Sequence, residues 1–595
     1  VIEIWREAIL DAVGANSRVI ADVIPEVELI TGAQPPVPEL GAEEARNRFN
    51  MVFTRFIGVF ASRQRPLTIF MDDLQWVDSA TVMLFKYIMS DHTVQNILLI
   101  GAYRDNEISE YHSIEAVRRD IQKAGIAMRT LRLNPLDVVE VTELITDTIR
   151  CGEEKAWQLA ALAYQHTGGN PLLVVQFLKS LYEENHLVRE TSGWTWDIET
   201  IRKMYETDTI ITVMANRIKA LPEGALRILK HASCIGNRFD LETLIHALGE
   251  TPAGIMNDIR VLVEHGYVSG QGTQYRFSHD RYYETAYSLT PEKKRLRIHE
   301  RIGRALLLEY ERKGELQENI FDVVNQFNMA SALADDGDEK RALAELNMKA
   351  GKRARLSIAY QSAARYYRLG EALLDRDAWK SGYDLTMDIY RGLFECEYFI
   401  GNNEEADRLF GLIVKNARTV LEKAQIHDLK VMLLMNSSRA KEAIRTGLDG
   451  LSLLGVHLNP KPSRFRLLWE MGRLWLYFRS HGIESVLKLP VMNNEARSIV
   501  MSILVNMWTP AYTTNHGLMH LIPITMIHTS LRHGNCNYSA LGYALFGMIL
   551  TSGIGDFANG YRFGLVSREL GTRYPSDGLE CALSFILGAF LIHWR

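Results

Sequence analysis

Three segments in the C-terminal half of the chain repeat one helical pattern, and this repetition constrains the fold more than any other feature. In SAARYYRLGEAL, NEEADRLFGLIV and AKEAIRTGLDGL, an alanine stands four residues before a large residue or a glycine. The anchor alanines Ala363, Ala406 and Ala443 are separated by 43 and 37 residues. A period of this size predicts pairs of helices that stack on their neighbours. We therefore expect an all-helical solenoid after Pro291.

The same half of the chain holds two further helical features. The segment YALFGMILTSGIGDFANGYRFGLVSREL predicts another helix pair, in which the small residues Gly547 and Ala558 allow the two helices to approach closely. Residues 498–531 contain no Asp, Glu, Lys or Arg, but polar residues interrupt the apolar run before it reaches the roughly 18 residues of a membrane span. We expect a buried helical hairpin there and no membrane span.

The N-terminal part of the chain changes pattern after about residue 62. Residues 1–62 predict helices, with a break at the three prolines of GAQPPVPELG. The apolar runs LTIF (67–70) and NILLIGAY (96–103) predict parallel strands, joined by a helix that Asp78 or Ser79 can cap. AMRTLRL (127–133) predicts a third strand.

Two acidic residues, Asp72 and Asp73, directly follow the first predicted strand in LTIFMDDLQWVDSA. Open α/β sheets bind ligands at the carboxyl ends of their strands. Mg²⁺ prefers oxygen ligands, so Asp72 is the candidate metal ligand, and Asp73 is the candidate catalytic residue that orients or deprotonates a water. The alternative from local sequence is that the two acids only cap the next helix.

Arg104 ends the second predicted strand, in LLIGAYRDNE, and therefore faces the same crevice as Asp72. The planar guanidinium pairs two phosphate oxygens at once, which suits Arg104 to sense a terminal phosphate. The alternative is a surface ion pair with Asp105 or Glu107.

Two later motifs mark helix beginnings. In HTGGNPLLVVQFLKSL, Gly168 and Gly169 end one helix, and Pro171 lies in the first turn of the next. Residues 209–290 predict short helices and then two strands around a Gly-rich turn, the order of a winged helix. His279 follows the last of these strands and begins a helix. Helix ends and caps explain both motifs without a ligand, and this alternative stays open.

In this order, the motifs resemble the STAND class of AAA-related signalling ATPases. The resemblance implies ATP or ADP and Mg²⁺ as cofactors. It gives the metal and catalytic roles to Asp72 and Asp73, and the phosphate-sensing role to Arg104. It also implies that Pro171 contacts the adenine and that His279 reaches the nucleotide from the winged helix.

More narrowly, the chain is similar to the central region of very large signalling kinases. The similarity rests on FMDDLQWVDSAT, LLIGAYRDNE, GGNP, GWTWDI and FSHDRYYETAYSL, and it spans nearly the whole chain. In that family a serine/threonine kinase domain precedes this region, and a GAF domain and a sensor histidine kinase follow it. The chain carries neither HRD and DFG motifs nor histidine-kinase glycine boxes. It also has no GxxxxGK[ST] phosphate loop. We expect that both ends are cuts, that the loop lies upstream, and that this chain alone binds ATP weakly.

We therefore predict a multidomain fold. An N-terminally truncated α/β P-loop-type ATPase core occupies residues 1–135, a helical lid 136–205, a winged helix 206–290 and an all-α, TPR-like solenoid 291–595. The predicted function is the ATP-binding regulatory module of a signal-transduction protein kinase, in which the intact chain hydrolyses ATP and acts as a nucleotide-dependent switch. The repeats predict protein partners. We expect that opening of the switch exposes a surface through which the protein self-associates or relieves a linked kinase.

The composition of the chain indicates which binding partners and which cellular compartment to expect. The net charge of -5 gives no general attraction to nucleic acid or anionic lipid, for which a local patch is needed. The predicted recognition helix, AGIMNDIRVLVEHGY, carries Arg260 against two acids, so we expect no nucleic-acid binding. Five scattered cysteines without metal-ligand spacing indicate a reducing cytoplasm. Two alternative functions stay open: a winged-helix DNA-binding regulator and a non-hydrolysing protein scaffold.

Overall fold

The structure is a computed structural model of the 595-residue chain. It describes residues 2–37, 42–74, 77, 79–91, 94–103, 128–191, 193–204, 210–436, 439–575 and 579–592. The chain divides into two compact units. The first unit comprises Val1–Ile126 with Ala344–Arg595, and the second comprises Ala127–Leu343.

The first unit begins with helices that bury one apolar face, as predicted for residues 1–62. They are α1 (Ile2–Val13), α2 (Ser17–Ala21), α3 (Glu28–Thr31) and α4 (Ala42–Val59). Ile9, Ile20 and Val52 lie at the centre of their shared core. Further out, the rings of Phe49 and Phe53 stack with centroids 5.5 Å apart.

Two parallel strands follow these helices. β1 (Leu67–Met71) pairs with β2 (Ile97–Gly101) so that Leu67 lies opposite Ile97 and Met71 opposite Gly101. α5 (Ser79–Ser90) lies between them in sequence, because parallel neighbours need a crossover connection. The predicted strand-helix-strand unit is confirmed. Asp78, one of the two predicted caps of α5, lies outside the described residues.

The prediction of a third strand over 127–133 is wrong for the described residues 128–133, which have no regular secondary structure. Leu131 and Leu133 are 83% and 85% exposed. The apolar residues of AMRTLRL are typical of a strand, but a strand also needs a neighbour that takes its backbone hydrogen bonds. Within the described residues, the sheet of β1 and β2 has only those two strands.

The second unit opens with three helices, a β-hairpin and a fourth, short helix. The elements are α6 (Val138–Ile149), α7 (Glu153–Thr167), α8 (Pro171–Glu183), β3 (Leu187–Glu190), β4 (Gly193–Trp196) and α9 (Ile198–Met204). α6 begins with a capping box, in which Asp137 and Glu140 each accept a hydrogen bond from the other's backbone N–H. Ile145, Leu159 and Phe177 are fully buried between the helices.

A sheet with flanking helices, which we call the sheet-and-helix module, follows in the same unit. Its elements are α10 (Ile210–Lys219), α11 (Glu223–Ile235), β5 (Arg238–Asp240), α12 (Leu241–Leu248), α13 (Pro252–Glu264), β6 (Val268–Gln271), β7 (Gln274–Phe277) and α14 (Asp280–Ser288). The antiparallel sheet has the order β5-β7-β6. On one face of it, the ring of Phe239 packs against the rings of Tyr275 and Phe277. α15 (Glu292–Lys313) and α16 (Ile320–Met329) follow the module.

The rest of the described chain is helical. The helices are α17 (Gly337–Leu356), α18 (Tyr360–Ala372), α19 (Ala378–Ser381), α20 (Tyr383–Ile400), α21 (Asn403–Asn416), α22 (Val420–Asn436), α23 (Ala440–Leu453), α24 (Arg464–His481), α25 (Glu495–Thr514), α26 (His516–His533), α27 (Ser539–Ile549), α28 (Phe557–Arg573) and α29 (Glu580–Ile586). Helices that are close in sequence pack together, for example α20 on α21 and α22 on α23. The anchors Ala363, Ala406 and Ala443 are 0% exposed. This is the predicted solenoid.

The charge-free stretch 498–531 forms the hairpin of α25 and α26, which buries Ile503, Leu504 and Ile522 completely. No described helix is both long enough and apolar enough to cross a bilayer. The close approach predicted near Gly547 also exists, but its partner is not Ala558, which is exposed. A Cβ added to Gly547 would lie 3.1 Å from the carbonyl oxygen of Gly560, so the second small residue is two positions further along than Ala558.

Candidate functional site

The two acidic residues of the predicted site lie at the carboxyl edge of the strand pair. β1 ends at Met71, whose carbonyl oxygen accepts a hydrogen bond from Ala102 N at 2.8 Å. Leu74 N in turn donates to Ala102 O at 2.9 Å, so the two chains stay paired beyond the strands. Asp72 and Asp73 lie in the chain between Met71 and Leu74, the two residues that make these hydrogen bonds.

Asp72 is exposed and Asp73 is half-buried. The backbone N–H of Asp73 donates to Asp72 Oδ1 at 3.0 Å. Asp73 has a φ of 53°, in the left-handed region that non-glycine residues seldom adopt. Strained backbone of this kind is enriched at functional sites. An exposed carboxylate beside a half-buried one supplies the hard oxygen ligands that suit Mg²⁺, so these residues fit the metal that the sequence predicts.

Arg104 lies outside the described residues. β2 ends at Gly101, and the described residues after it stop at Tyr103, one residue before Arg104. At Gly101, a Cβ would lie 2.4 Å from Leu74 Cδ1. A side chain at position 101 would therefore require the Leu74 side chain to shift.

The GGNP motif forms the tight connection between α7 and α8. Gly168 and Gly169 have φ values of 59° and 74°, and a Cβ on Gly169 would lie 1.9 Å from Leu136 O. Asn170 Oδ1 accepts a hydrogen bond from Leu173 N at 3.2 Å and caps α8. Pro171 is exposed at the first position of that helix, where a missing N–H breaks no helical hydrogen bond.

His279 is the residue that caps α14. Its Nδ1 accepts a hydrogen bond from Arg281 N at 3.2 Å, which leaves the ring proton of neutral His279 on Nε2. The next residue, Asp280, accepts a hydrogen bond from Asn237 Nδ2 at 2.8 Å. The capping role that local sequence offered for His279 is therefore observed.

A buried hydrogen bond connects the helices that begin at Pro171 and after His279. Tyr282 Oη on α14 donates to Gln176 Oε1 on α8 at 2.7 Å, across 106 residues of sequence. Burial raises the pKa of Tyr282 to about 12. Arg217, on α10, reaches the same helix, since it donates to Ser180 Oγ at 3.0 Å and forms an ion pair with Glu183.

Sequence reasoning missed this connection. A polar residue, Gln176, on the apolar face of VVQFL was the signal that a distant hydrogen-bond partner exists. The structure thus brings Asp72 next to Asp73 in the first unit, and it joins the helices of Pro171 and His279 in the second.

Residues 1–100 match the family model of the AAA ATPase domain. The whole chain is 24% identical to hybrid signal transduction histidine kinase G of Dictyostelium discoideum, of which it covers 21%. It is 27% identical, over 31% of its length, to peroxide stress-activated histidine kinase mak2 of Schizosaccharomyces pombe, of which it covers 8%. A solved STAND protein with a tetratricopeptide repeat sensor, from Pyrococcus horikoshii, aligns with a TM-score of 0.36 and 15% identity over 92% of this chain and 81% of that one.

The chain therefore spans about a fifth of the length of the Dictyostelium relative. The predicted fold class is confirmed, with an ATPase core at the N-terminal end and an all-α solenoid after it. The predicted similarity to large signalling histidine kinases is also confirmed.

Proposed function

We propose that this chain, an AAA-type ATPase region followed by helical repeats, is the ATP-binding regulatory module of a cytoplasmic signal-transduction protein kinase. The observation that carries the proposal is the acidic pair, Asp72 and Asp73, at the carboxyl edge of two parallel strands within the stretch that matches the AAA ATPase domain. Ligands of open α/β sheets bind at that edge.

In this proposal each acidic residue has one role. Asp72 holds Mg²⁺, which neutralises the charge that develops on the phosphates. Asp73 orients the attacking water or accepts its proton. Arg104 contacts the terminal phosphate.

The second unit acts as the switch. Its residues 136–205 are the lid and 206–290 the winged helix, an assignment supported by the β5-β7-β6 sheet and its flanking helices. With ADP, Pro171 and His279 hold lid and winged helix closed, and the Tyr282–Gln176 hydrogen bond couples the two. With ATP, contact to Arg104 loosens them, and the exposed surface self-associates or relieves a linked kinase. The solenoid binds the protein partner.

Calorimetric titration of ATP and ADP, with and without Mg²⁺, tests the nucleotide site in the full-length protein. Wild-type protein is expected to bind ATP in a Mg²⁺-dependent manner, and Asp72→Asn to lose that dependence. Asp73→Asn is expected to bind normally and to hydrolyse ATP about 10² to 10⁴ times more slowly. Asp11→Asn, an equivalent change at an exposed residue of α1, is the matched control.

Absence of binding in every form of the protein would favour the alternative of a non-hydrolysing scaffold. If ATP binding by Asp72→Asn depends on Mg²⁺ as strongly as ATP binding by Asp11→Asn, Asp72 does not hold the metal. The rest of the proposal would not be affected by that result.

A further inference from the structure

Helix α24 is apolar on two opposite faces, and only one of them is packed. Leu474 is buried, and Met471 and Phe478 pack beside it on the core shared with α26, α27 and α28. The ring of Phe478 meets that of Phe563 edge-on, with centroids 5.0 Å apart. These contacts fix the orientation of α24, and they determine which of its residues face solvent.

The opposite face carries a stripe of large apolar side chains, which we call the α24 stripe. Its members are between 55% and 78% exposed: Phe465, Leu468, Trp469, Trp475 and Leu476. At 100° per residue, they fall within an arc of about 120° that is centred opposite Leu474. Exposed contiguous apolar surface of this kind marks an interaction site in a folded protein.

The charges around the stripe have one sign. The exposed charged residues of α24 are Arg464, Arg466, Arg473 and Arg479. Glu470, the acidic residue of the helix, points away from the stripe and pairs with Arg473 at 3.1 Å and with His528 at 3.3 Å. Arg464 and Arg466 have no acidic partner among the described residues.

The surrounding sequence strengthens this local charge. Between residues 461 and 488, six basic residues stand against two acidic ones, although the whole chain has a net charge of -5. The second of those acids, Glu484, is already paired with Arg562 at 2.7 Å. The α24 stripe is therefore a basic and apolar patch on a chain that is acidic elsewhere.

We propose that the α24 stripe binds the surface of an anionic lipid bilayer. Helices that lie in the membrane interface combine Trp, Phe and Leu on one face with flanking Arg or Lys, which pair with anionic headgroups. Tryptophan, present here at 469 and 475, is the residue enriched at that depth. Arg479 lies over the Trp475 ring at 5.0 Å, so the charge and the aromatic surface are held together.

Charge also argues against a second copy of the chain as the occupant. Two copies that pair through the stripe would bring together six arginines without an acidic partner among the described residues, because each copy contributes Arg464, Arg466 and Arg479. Like charges across an interface disfavour association. An anionic surface satisfies both the charge and the apolar side chains.

Co-sedimentation of the 595-residue chain with phosphatidylcholine vesicles, with and without phosphatidylserine, tests the proposal. Binding is expected only with phosphatidylserine and is expected to weaken as salt is raised. Arg464→Gln with Arg466→Gln should weaken binding about 30-fold, since each basic residue contributes about fivefold near an anionic surface. Trp469→Ser and Trp475→Ser should each weaken it about tenfold.

Matched controls separate the stripe from general charge and from folding. Arg365→Gln with Arg376→Gln removes two exposed arginines elsewhere on the first unit, and Trp157→Ser removes a half-exposed tryptophan from α7. Both are expected to bind as the wild type does. Circular dichroism of each variant checks that the helices are retained.

Three outcomes would overturn the proposal. They are absence of binding to phosphatidylserine vesicles at physiological salt, equal binding by stripe and control variants, and concentration-dependent self-association that the stripe variants abolish without any vesicle binding.

Discussion

The strand pair β1–β2 and the helix pair α27–α28 belong to the same unit but bury their apolar residues very differently. In the strand pair, Phe70, Leu98 and Ile100 are 60%, 56% and 41% exposed. In the helix pair, Tyr543 and Phe563 are 0% and 2% exposed. A solenoid helix is covered by neighbours that are close in sequence, whereas a parallel sheet depends on elements that are distant in sequence. The described helices of the solenoid therefore bury their apolar side chains against one another, whereas the two described strands leave one apolar face exposed.

The comparison predicts that the same substitution has effects of very different size in the two places. Phe563→Ala is expected to lower the free energy of unfolding by about 3 to 5 kcal/mol, because it opens a cavity among Phe478, Tyr543 and Phe546. Phe70→Ala, at an exposed site, is expected to change it by about 0.5 kcal/mol or less. Urea unfolding measures both. Equal losses would mean that the sheet is as well packed as the solenoid.

The dense packing of the solenoid predicts a pH dependence at Asp428. Its carboxylate accepts hydrogen bonds from Ser502 Oγ at 2.6 Å and Asn506 Nδ2 at 2.8 Å. Burial raises the pKa of Asp428 to about 6 from its ordinary 3.8, against the opposite effect of those two bonds. Because the folded state holds the proton more tightly, the stability from Asp428 is present below about pH 4 and is lost as the pH rises through 6.

Asp428→Asn removes this titration and retains an acceptor oxygen for Asn506. It is expected to be more stable than the wild type by about 2 to 3 kcal/mol at pH 8, with the difference disappearing near pH 4. Urea unfolding at several pH values measures it. A difference that does not vary with pH would contradict the raised pKa.

Two helical glycines sharpen the contrast between packed and open sites within the solenoid. A Cβ on Gly392 would lie 2.3 Å from Tyr367 Cζ, whereas nothing lies within 4 Å of a Cβ on Gly411. Gly392→Ala is expected to destabilise the first unit by about 1 to 3 kcal/mol through overpacking. Gly411→Ala is expected to stabilise it by up to about 1 kcal/mol, since alanine favours the helix. Effects of the same sign, measured by urea unfolding, would refute this contrast.

The smallest expected effect concerns the second unit. There a hydrogen bond between residues distant in sequence connects α8 and α14. Tyr282→Phe removes the hydrogen bond to Gln176 and is expected to cost about 1 kcal/mol. Hydrogen exchange of α8 and α14 measures the loss, and Tyr283→Phe serves as the control. Adding Gln176→Leu to Tyr282→Phe should recover part of the stability; no recovery would mean that the two side chains are not coupled.

Local pattern predicted the solenoid well and the sheet less well. Ala363, Ala406 and Ala443 are buried as expected, because helical periodicity determines both the helix and the face that it buries. The third strand was wrong because AMRTLRL contains no information about which strand pairs with it. Ala558 was chosen in place of Gly560 because a sequence shows small residues without showing which of them faces the neighbouring helix.

At the candidate site, the motif located Asp72 and Asp73 because strand ends and acidic pairs are both visible in sequence. The left-handed backbone of Asp73 depends on the local chain path, which the sequence does not state. The cap formed by His279 was one of the two roles that the sequence offered for that residue. The Tyr282–Gln176 hydrogen bond joins residues 106 positions apart, beyond the reach of any local pattern.

The nucleotide switch is tested most directly by the association state of the full-length protein in ADP and in ATP, measured by sedimentation velocity. We predict that wild-type protein associates only with ATP and that His279→Ala associates with both. His279→Asn retains a helix cap without the imidazole, so it should behave like His279→Ala if the ring contacts nucleotide. His246→Ala, at an exposed histidine of α12, should match the wild type. Association that is identical in ADP and ATP, and unchanged by His279→Ala, would contradict the switch.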